Sequence, residues 1–270
     1  MTLDDFIPRP IDNDGWLEPL GDPDQLTAVD KALALLRALA RQDGEVGVTE
    51  LARQTRLSKS TAFRLLGILQ RNGFVERAGN KYRLGPRLSE MGSRVYGPTL
   101  ALLRERLLPH LAELYELTHE TVHLAVLHGS EIVYVNKLHG HRAARSPSRI
   151  GARLPAYCTG VGKALLAFDH DAAELAIAAG LPAHTRHTLA DPARFRAELQ
   201  RIRQEGIAHD RQEAVLGLAC VAAPIMGSTG RAVAALSVAS TDLRFQPDHF
   251  APILRRIAYQ ASLAMRACGP

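Results

Sequence analysis

Between Leu57 and Leu84 the sequence sets a helix, a stop and a hairpin in immediate succession, and few folds accommodate that order. Ser58 places a hydroxyl where a helix cap belongs, and Ala62, Leu65, Leu66 and Leu69 follow at helical spacing up to about Asn72. Gly73 stands where the left-handed residue after a helix is wanted. Phe74-Val75-Glu76-Arg77, Ala78-Gly79-Asn80 and Lys81-Tyr82-Arg83-Leu84 then read as strand, turn and strand. Upstream, a helix begins near Thr27 with Val29, Leu33, Leu36 and Ala40 along one face, flanked by Ala32, Leu35 and Leu39, and it stops near Gln42 to Gly44. A short helix runs from Thr49, its expected cap, to about Gln54, and Thr55-Arg56-Leu57 makes a tight connection. Three helices and a basic hairpin in this order describe a winged helix-turn-helix.

The chemistry of the third helix agrees with that motif. With its apolar residues turned inward, the opposite face carries Ser60, Arg64, Gly67 and Arg71, and Lys59 and Thr61 lie at its exposed start. Short hydroxyls and long cations are the groups that bond phosphates and base edges in a major groove. Charge is segregated in the same sense. Residues 1–25 carry seven Asp or Glu against one Arg, residues 26–97 carry thirteen Lys or Arg against six acids, and the remainder holds nineteen against fifteen. Positive charge is therefore densest over the motif, which fits a polyanionic partner. The acidic segment has few regular apolar positions and is expected to be disordered or loosely packed; Trp16 and Leu17 are its candidates for docking.

Beyond the hairpin, Leu100, Leu103, Leu107, Leu114 and Leu117 form an a/d-like seam with His110 in the remaining slot. That seam suits burial in its own domain or contact with a second subunit. Pro109 implies a kink or a fresh helix starting there. From Glu120 the period becomes two: strands are expected over 121–127 and 131–137, and later over 220–226 and 232–239. Helices are expected over 160–168, 171–179, 192–205 and 247–267. The result is an α+β chain whose second domain has a mainly antiparallel sheet. Its expected divisions are a tail over 1–25, a winged helix-turn-helix over 26–95, a linker helix over 96–118 and a sensing domain over 119–270.

Several strings tempt toward other chemistry. His119-Glu120-Thr121-Val122-His123 spells the zinc-hydrolase pattern, which needs both imidazoles on one helical face. Here it straddles a helix end and a strand, so no catalytic zinc is expected. Gly160-Val161-Gly162-Lys163 lacks the Ser or Thr and the spacing of a phosphate loop. What remains is a glycine turn opening a helix, either an anion site for a carboxylate or a tight turn alone. The eleven histidines are scattered, and no cofactor or metal is expected. Cys158, Cys220 and Cys268 are odd in number and far apart, which fits a reducing cytoplasm; Cys220 lies in an apolar run. No run of eighteen apolar residues would span a membrane.

Taken in order, the strings Val29 to Leu33, Leu57 to Leu66, Gly73-Phe74-Val75, Tyr82 to Gly85, Glu120 to Leu124, Gly160 to Leu166, Gly206-Ile207-Ala208 and Leu216 to Ile225 resemble the IclR family of bacterial transcription regulators. The resemblance implies a GAF-like effector domain, homodimers or homotetramers, binding of double-stranded operator DNA, and a small organic or aromatic acid as effector. It implies no enzymatic activity. Lys59, Ser60, Thr61 and Arg64 would enter the major groove, and Arg77, Asn80, Lys81 and Arg83 would meet backbone or minor groove. The implied effector pocket comprises Gly160, Val161, Asp210, Leu218, Cys220 and Ser237. Ala239 departs from members that carry a second serine there, which favours a more apolar or aromatic acid over a glyoxylate- or pyruvate-like one.

Overall fold

A computed structural model describes residues 26–267 apart from 43, 96, 142–147 and 242–245. The acidic segment, with Trp16 and Leu17, and Cys268 lie outside the described residues. The chain divides into two compact units between Pro98 and Thr99.

The first unit opens with α1 (Ala28–Ala40), started by a reciprocal capping box in which the Thr27 and Asp30 side chains each accept the other's backbone N–H. Its buried face is Ala34, Leu35, Ala38 and Leu39, not the stripe through Val29 and Leu33. Those two are 66% and 50% exposed. The apolar arc of α1 is wide enough to present either ridge, so periodicity alone could not choose between them. A two-residue strand β1 (Val46–Gly47) hands the chain directly to α2 (Val48–Thr55). The N-cap of α2 is therefore Gly47, with no side-chain bond, and Thr49 falls inside the first turn. Arg56 takes the left-handed position at φ 54°, and Ser58 caps α3 (Lys59–Arg71) by accepting the Thr61 N–H at 3.2 Å. Gly73, at φ 76°, turns the chain into β2 (Val75–Ala78) and β3 (Lys81–Leu84). The sheet order is β1-β3-β2, and Leu35, Leu51, Leu66, Val75 and Tyr82 pack in the core beneath it. A further helix, α4 (Arg87–Val95), has no counterpart in the sequence reading.

The second unit carries most of α5 (Gly97–Thr118), one continuous helix with Pro109 inside it, so no fresh helix starts there. Leu100, Leu103, Leu107, Leu111 and Leu114 are buried within the single chain, whereas Leu117 is 45% exposed. The real stripe thus takes Leu111 where the heptad pattern put His110, because a straight helix drifts away from a strict seven-residue repeat. Strands β4 (Thr121–His128), β5 (Glu131–Leu138), β6 (Arg153–Pro155), β7 (Ala208–Arg211), β8 (Leu218–Met226) and β9 (Ala232–Thr241) form one antiparallel sheet in the order β6-β5-β4-β9-β8-β7.

Alternation sorts that sheet into two faces. Ala125, Tyr134, Ala208, Ala222 and Ala235 join a core with α6 (Gly160–Leu166), α7 (His170–Ala178) and α8 (Pro192–Glu205). The intervening residues, among them Val221, Leu236 and Val238, are equally buried on the opposite face, where α9 (Pro247–Arg266) packs on β8 and β9. A single 3-10 turn, Ala156–Cys158, leads into α6. A Cβ on Gly162 would lie 2.1 Å from the Ala156 carbonyl oxygen, so this close crossing requires glycine. Among the described residues no helix is long and apolar enough to cross a membrane.

Candidate functional site

On the first unit, α3 buries Ala62, Leu65, Leu66 and Leu69 and leaves Lys59, Ser60 and Arg64 exposed, as its period requires. Lys59 and Arg64 have no ion-pair partner among the described residues. Ser60 and Thr61 are not idle, however. Ser58 Oγ lies 3.1 Å from Ser60 Oγ and donates to Thr61 Oγ1 at 2.8 Å, so both hydroxyls help to close the helix start. Phe63, 53% exposed, shares this surface and was missed because it reads as one more apolar helix residue.

The wing is less uniform than its composition suggests. Asn80 and Lys81 are exposed at and just after the two-residue turn. Arg77 instead donates to the Gly79 carbonyl at 2.8 Å and sits 6.0 Å from the Tyr82 ring centre. Arg83 is paired with Glu76 at 2.8 Å, its cross-strand neighbour, and lies 3.8 Å from Glu45. A phosphate approaching Arg83 must compete with that carboxylate.

On the second unit, one cleft of about 380 Å3, its mouth included, opens between the sheet and α6. Val161, Asp210, Leu218, Cys220 and Ser237 line it together with His123, Tyr134, Leu154, Thr159, Ala214 and Ala239. Gly160 stands just behind this wall: a Cβ there would lie 2.6 Å from Cys220 Sγ. The residues named from the sequence therefore converge. The ones it missed are His123, Tyr134 and Leu154 on β4, β5 and β6, whose inward positions look like ordinary core until the sheet order is known, together with Thr159 at the cap of α6 and Ala214 between β7 and β8.

Electrostatics within the cleft are set by burial. Asp210 is 4% exposed, and burial pushes its carboxyl up to about 7, although the backbone N–H groups of Glu213 and Ala214 pull the other way. Burial also raises the Cys220 thiol, whose sulfur receives the N–H groups of Gly160 and Asp210, and lifts Cys158 to about 12. Both cysteines are neutral thiols. Burial, Lys137 and His139 hold His123 down to about 3. No lysine or arginine is among the lining residues.

Contacts bear on two strings that the sequence singles out. Of the three N–H groups that open α6, that of Gly160 goes to Cys220 and that of Gly162 to Thr159 Oγ1 at 3.2 Å. Most of the supposed anion site is thus already engaged. Lys163, fully buried, pairs with Glu213 and lies 4.0 Å from Glu198, so it serves the interior and not a phosphate. The zinc-hydrolase string is dispersed as well. His119 sits at φ 51° beyond α5 and stacks on His141, while His123 is buried in β4 and bonds Ser148. Among the described residues no group of three or more His, Cys, Asp or Glu is placed to hold a metal.

Comparison with known proteins agrees with this architecture. The chain matches the IclR helix-turn-helix domain over residues 28–79 and the C-terminal domain of bacterial IclR transcriptional regulators over residues 100–263. It is 35% identical to the HTH-type transcriptional regulator XynR of Escherichia coli (strain K12), covering 90% of this chain and 98% of that protein. Among solved structures it is similar to the IclR of Thermotoga maritima, with a TM-score of 0.75, 30% identity and coverage of 88% and 98%. It is also similar to an IclR homologue from Microbacterium hydrocarbonoxydans complexed with 4-hydroxybenzoate, with a TM-score of 0.71, 27% identity and coverage of 90% and 100%. These relatives are regulators and not enzymes. The chain belongs to the IclR family of bacterial transcription regulators, with an N-terminal DNA-binding helix-turn-helix domain and a C-terminal ligand-binding domain.

Proposed function

We propose that the cleft binds a small organic acid, with aromatic acids preferred, and that occupancy controls operator binding by the winged helix-turn-helix. The observation that carries this reading is the convergence of Asp210, Cys220 and Ser237 with apolar walls in one cleft. The Ala239 methyl adds apolar surface where a hydroxyl would suit a smaller, more polar acid. The 4-hydroxybenzoate held by the Microbacterium relative supports the same ligand class.

In this reading residues 26–95 bind DNA, 96–118 link and 119–270 sense. Lys59, Ser60, Thr61 and Arg64 enter the major groove, and Arg77, Asn80, Lys81 and Arg83 contact backbone or minor groove. The exposed Val29 and Leu33 on α1 give an apolar stripe for pairing subunits, so the protein acts as a homodimer or homotetramer on paired half-sites, in the cytoplasm. Ligand shifts the population of subunit geometries that match the half-site spacing.

Calorimetry with aromatic and small keto acids tests the ligand class, and gel shifts on DNA upstream of the protein's own gene, with and without each acid, test control. Tight binding of keto acids without binding of aromatic acids overturns the preference. Operator binding that no acid changes overturns the control.

A further inference from the structure

Three adjacent strands lay Lys137, His123 and Ser237 side by side. Lys137 faces His123 across the β5–β4 ladder, and His123 faces Ser237 across β4–β9. Ser148 bridges the first two. His123 Nε2 is 2.7 Å from Ser148 Oγ, and Lys137 Nζ donates to the same oxygen at 3.1 Å and to the Ser148 carbonyl at 2.8 Å. On its other side the ring places Nδ1 3.3 Å from Ser237 Oγ. Tyr134 holds the imidazole face, with ring centres 5.0 Å apart. His123 and Ser237 both line the cleft.

A neutral imidazole carries one N–H, so this row has two arrangements. In the first, Ser237 gives its hydrogen to Nδ1 and presents only lone pairs to the cleft. In the second, Nδ1–H donates to Ser237 Oγ, and the Ser237 O–H is released toward the cleft. Lys137 decides between them. Its ammonium donates to Ser148 Oγ, which strengthens Ser148 as a donor and weakens it as an acceptor. The same positive charge favours a lone pair over an N–H at Nε2. The ring is neutral at ordinary pH, since His123 is held at about 3.

We propose that His123 is a positioning residue which, biased by Lys137 through Ser148, turns the Ser237 hydroxyl into a hydrogen-bond donor facing the cleft and so selects effectors that bring a carboxylate or carbonyl oxygen to β9. The selection rests on the effector reading above; the tautomer does not. Asp210, on β7, is the acid among the lining residues, and at about 7 it exchanges a proton in the physiological range. A ligand oxygen that accepts from Ser237 therefore need not find a cation.

Two-bond proton–nitrogen correlation spectra of the full-length protein, labelled with 15N histidine, report the tautomer without any ligand. The expected His123 ring is protonated at Nδ1, bare at Nε2 and unchanged between pH 6 and 8. Lys137→Met is expected to shift it toward the Nε2–H form. An Nε2–H or doubly protonated ring in the unaltered protein overturns the proposal, and so does a tautomer that Lys137→Met leaves unmoved. Calorimetry with 4-hydroxybenzoate gives the second readout. His123→Asn, whose amide can replace the Nδ1–H, keeps most of the affinity, whereas His123→Leu and Ser237→Ala lose about tenfold or more. Equal losses in His123→Asn and His123→Leu overturn the positioning role. If no acid binds although the Nδ1–H tautomer is present, the acid-effector reading fails, and the selection step with it. If acids bind tightly to a protein with the Nε2–H ring, the proposal alone fails.

Discussion

Asp210 Oδ1 accepts the backbone N–H of Glu213 at 2.7 Å, and this bond fixes the carboxyl in the cleft without fully offsetting its burial. The group is held at about 7, against an ordinary value of 3.8. His123, across the same cleft, is displaced the opposite way, to about 3 from 6.5. The two residues therefore pull the pH dependence of stability in opposite directions.

Between about pH 4 and pH 7 the folded protein keeps a proton on Asp210 that the unfolded chain has released. This contribution is fully present below the unfolded value and is lost as pH rises through about 7. For His123 the unfolded chain takes up a proton below about pH 6.5 that the folded protein refuses, so stability is lost as pH falls. His209, lowered to about 4 by burial first and then by Arg211, Arg201 and Lys163, acts in the same sense as His123. Asp210→Asn removes only the first contribution. Relative to the unaltered protein it is expected to be more stable at pH 8, by up to about 4 kcal/mol, and to lose that advantage progressively toward pH 4.5. Thermal melts of both proteins across that range check this, and parallel curves contradict it.

Lys163 and Glu213 form a second buried relationship with a predictable cost. Lys163 is fully buried, and Glu213 Oε2 has no hydrogen-bond partner among the described residues. Removing the ammonium leaves that carboxylate buried and unpaired. Lys163→Met is therefore expected to destabilise the protein by about 3–5 kcal/mol, and adding Glu213→Leu to return most of the loss. Urea titrations of the single and double variants measure it. A double variant no better than the single would show that the pair acts through its surroundings.

The sequence carried its local punctuation more legibly than its long-range pairings. Ser58 and Gly73 mark boundaries by their own chemistry, and each stands where the chain turns. The face of α1 was misread because Leu33 and Leu35 are both good core residues, and only packing against α2 and α3 chooses between them. Asp210, Cys220 and Ser237 were found through family resemblance, and the structure gathers them by the β7-β8-β9 ladders. His123 enters the sequence reading within the zinc-like string and the Glu120 to Leu124 family string, neither of which assigns it a place in the pocket. Its real neighbours, Ser148 and Ser237, lie 25 and 114 residues away, separations that no local pattern encodes.

The four wing residues are not expected to contribute equally to DNA binding. Lys81 is exposed and has no ion-pair partner among the described residues, whereas Arg83 is engaged by Glu76. Lys81→Ala should weaken binding to all sequences alike and reduce the slope of log affinity against log salt by about one phosphate contact. Arg83→Ala should change that slope less, because the free protein already satisfies the guanidinium. On α3, Arg64→Ala should cost about 1–3 kcal/mol on the operator and much less on unrelated DNA, relaxing sequence preference. Phe63→Ala should also fall mainly on the operator, since an exposed ring beside Arg64 can meet thymine methyls but not phosphates. Salt titrations with operator and unrelated duplexes separate these outcomes. If Arg64→Ala leaves operator affinity untouched, α3 is not the reading helix.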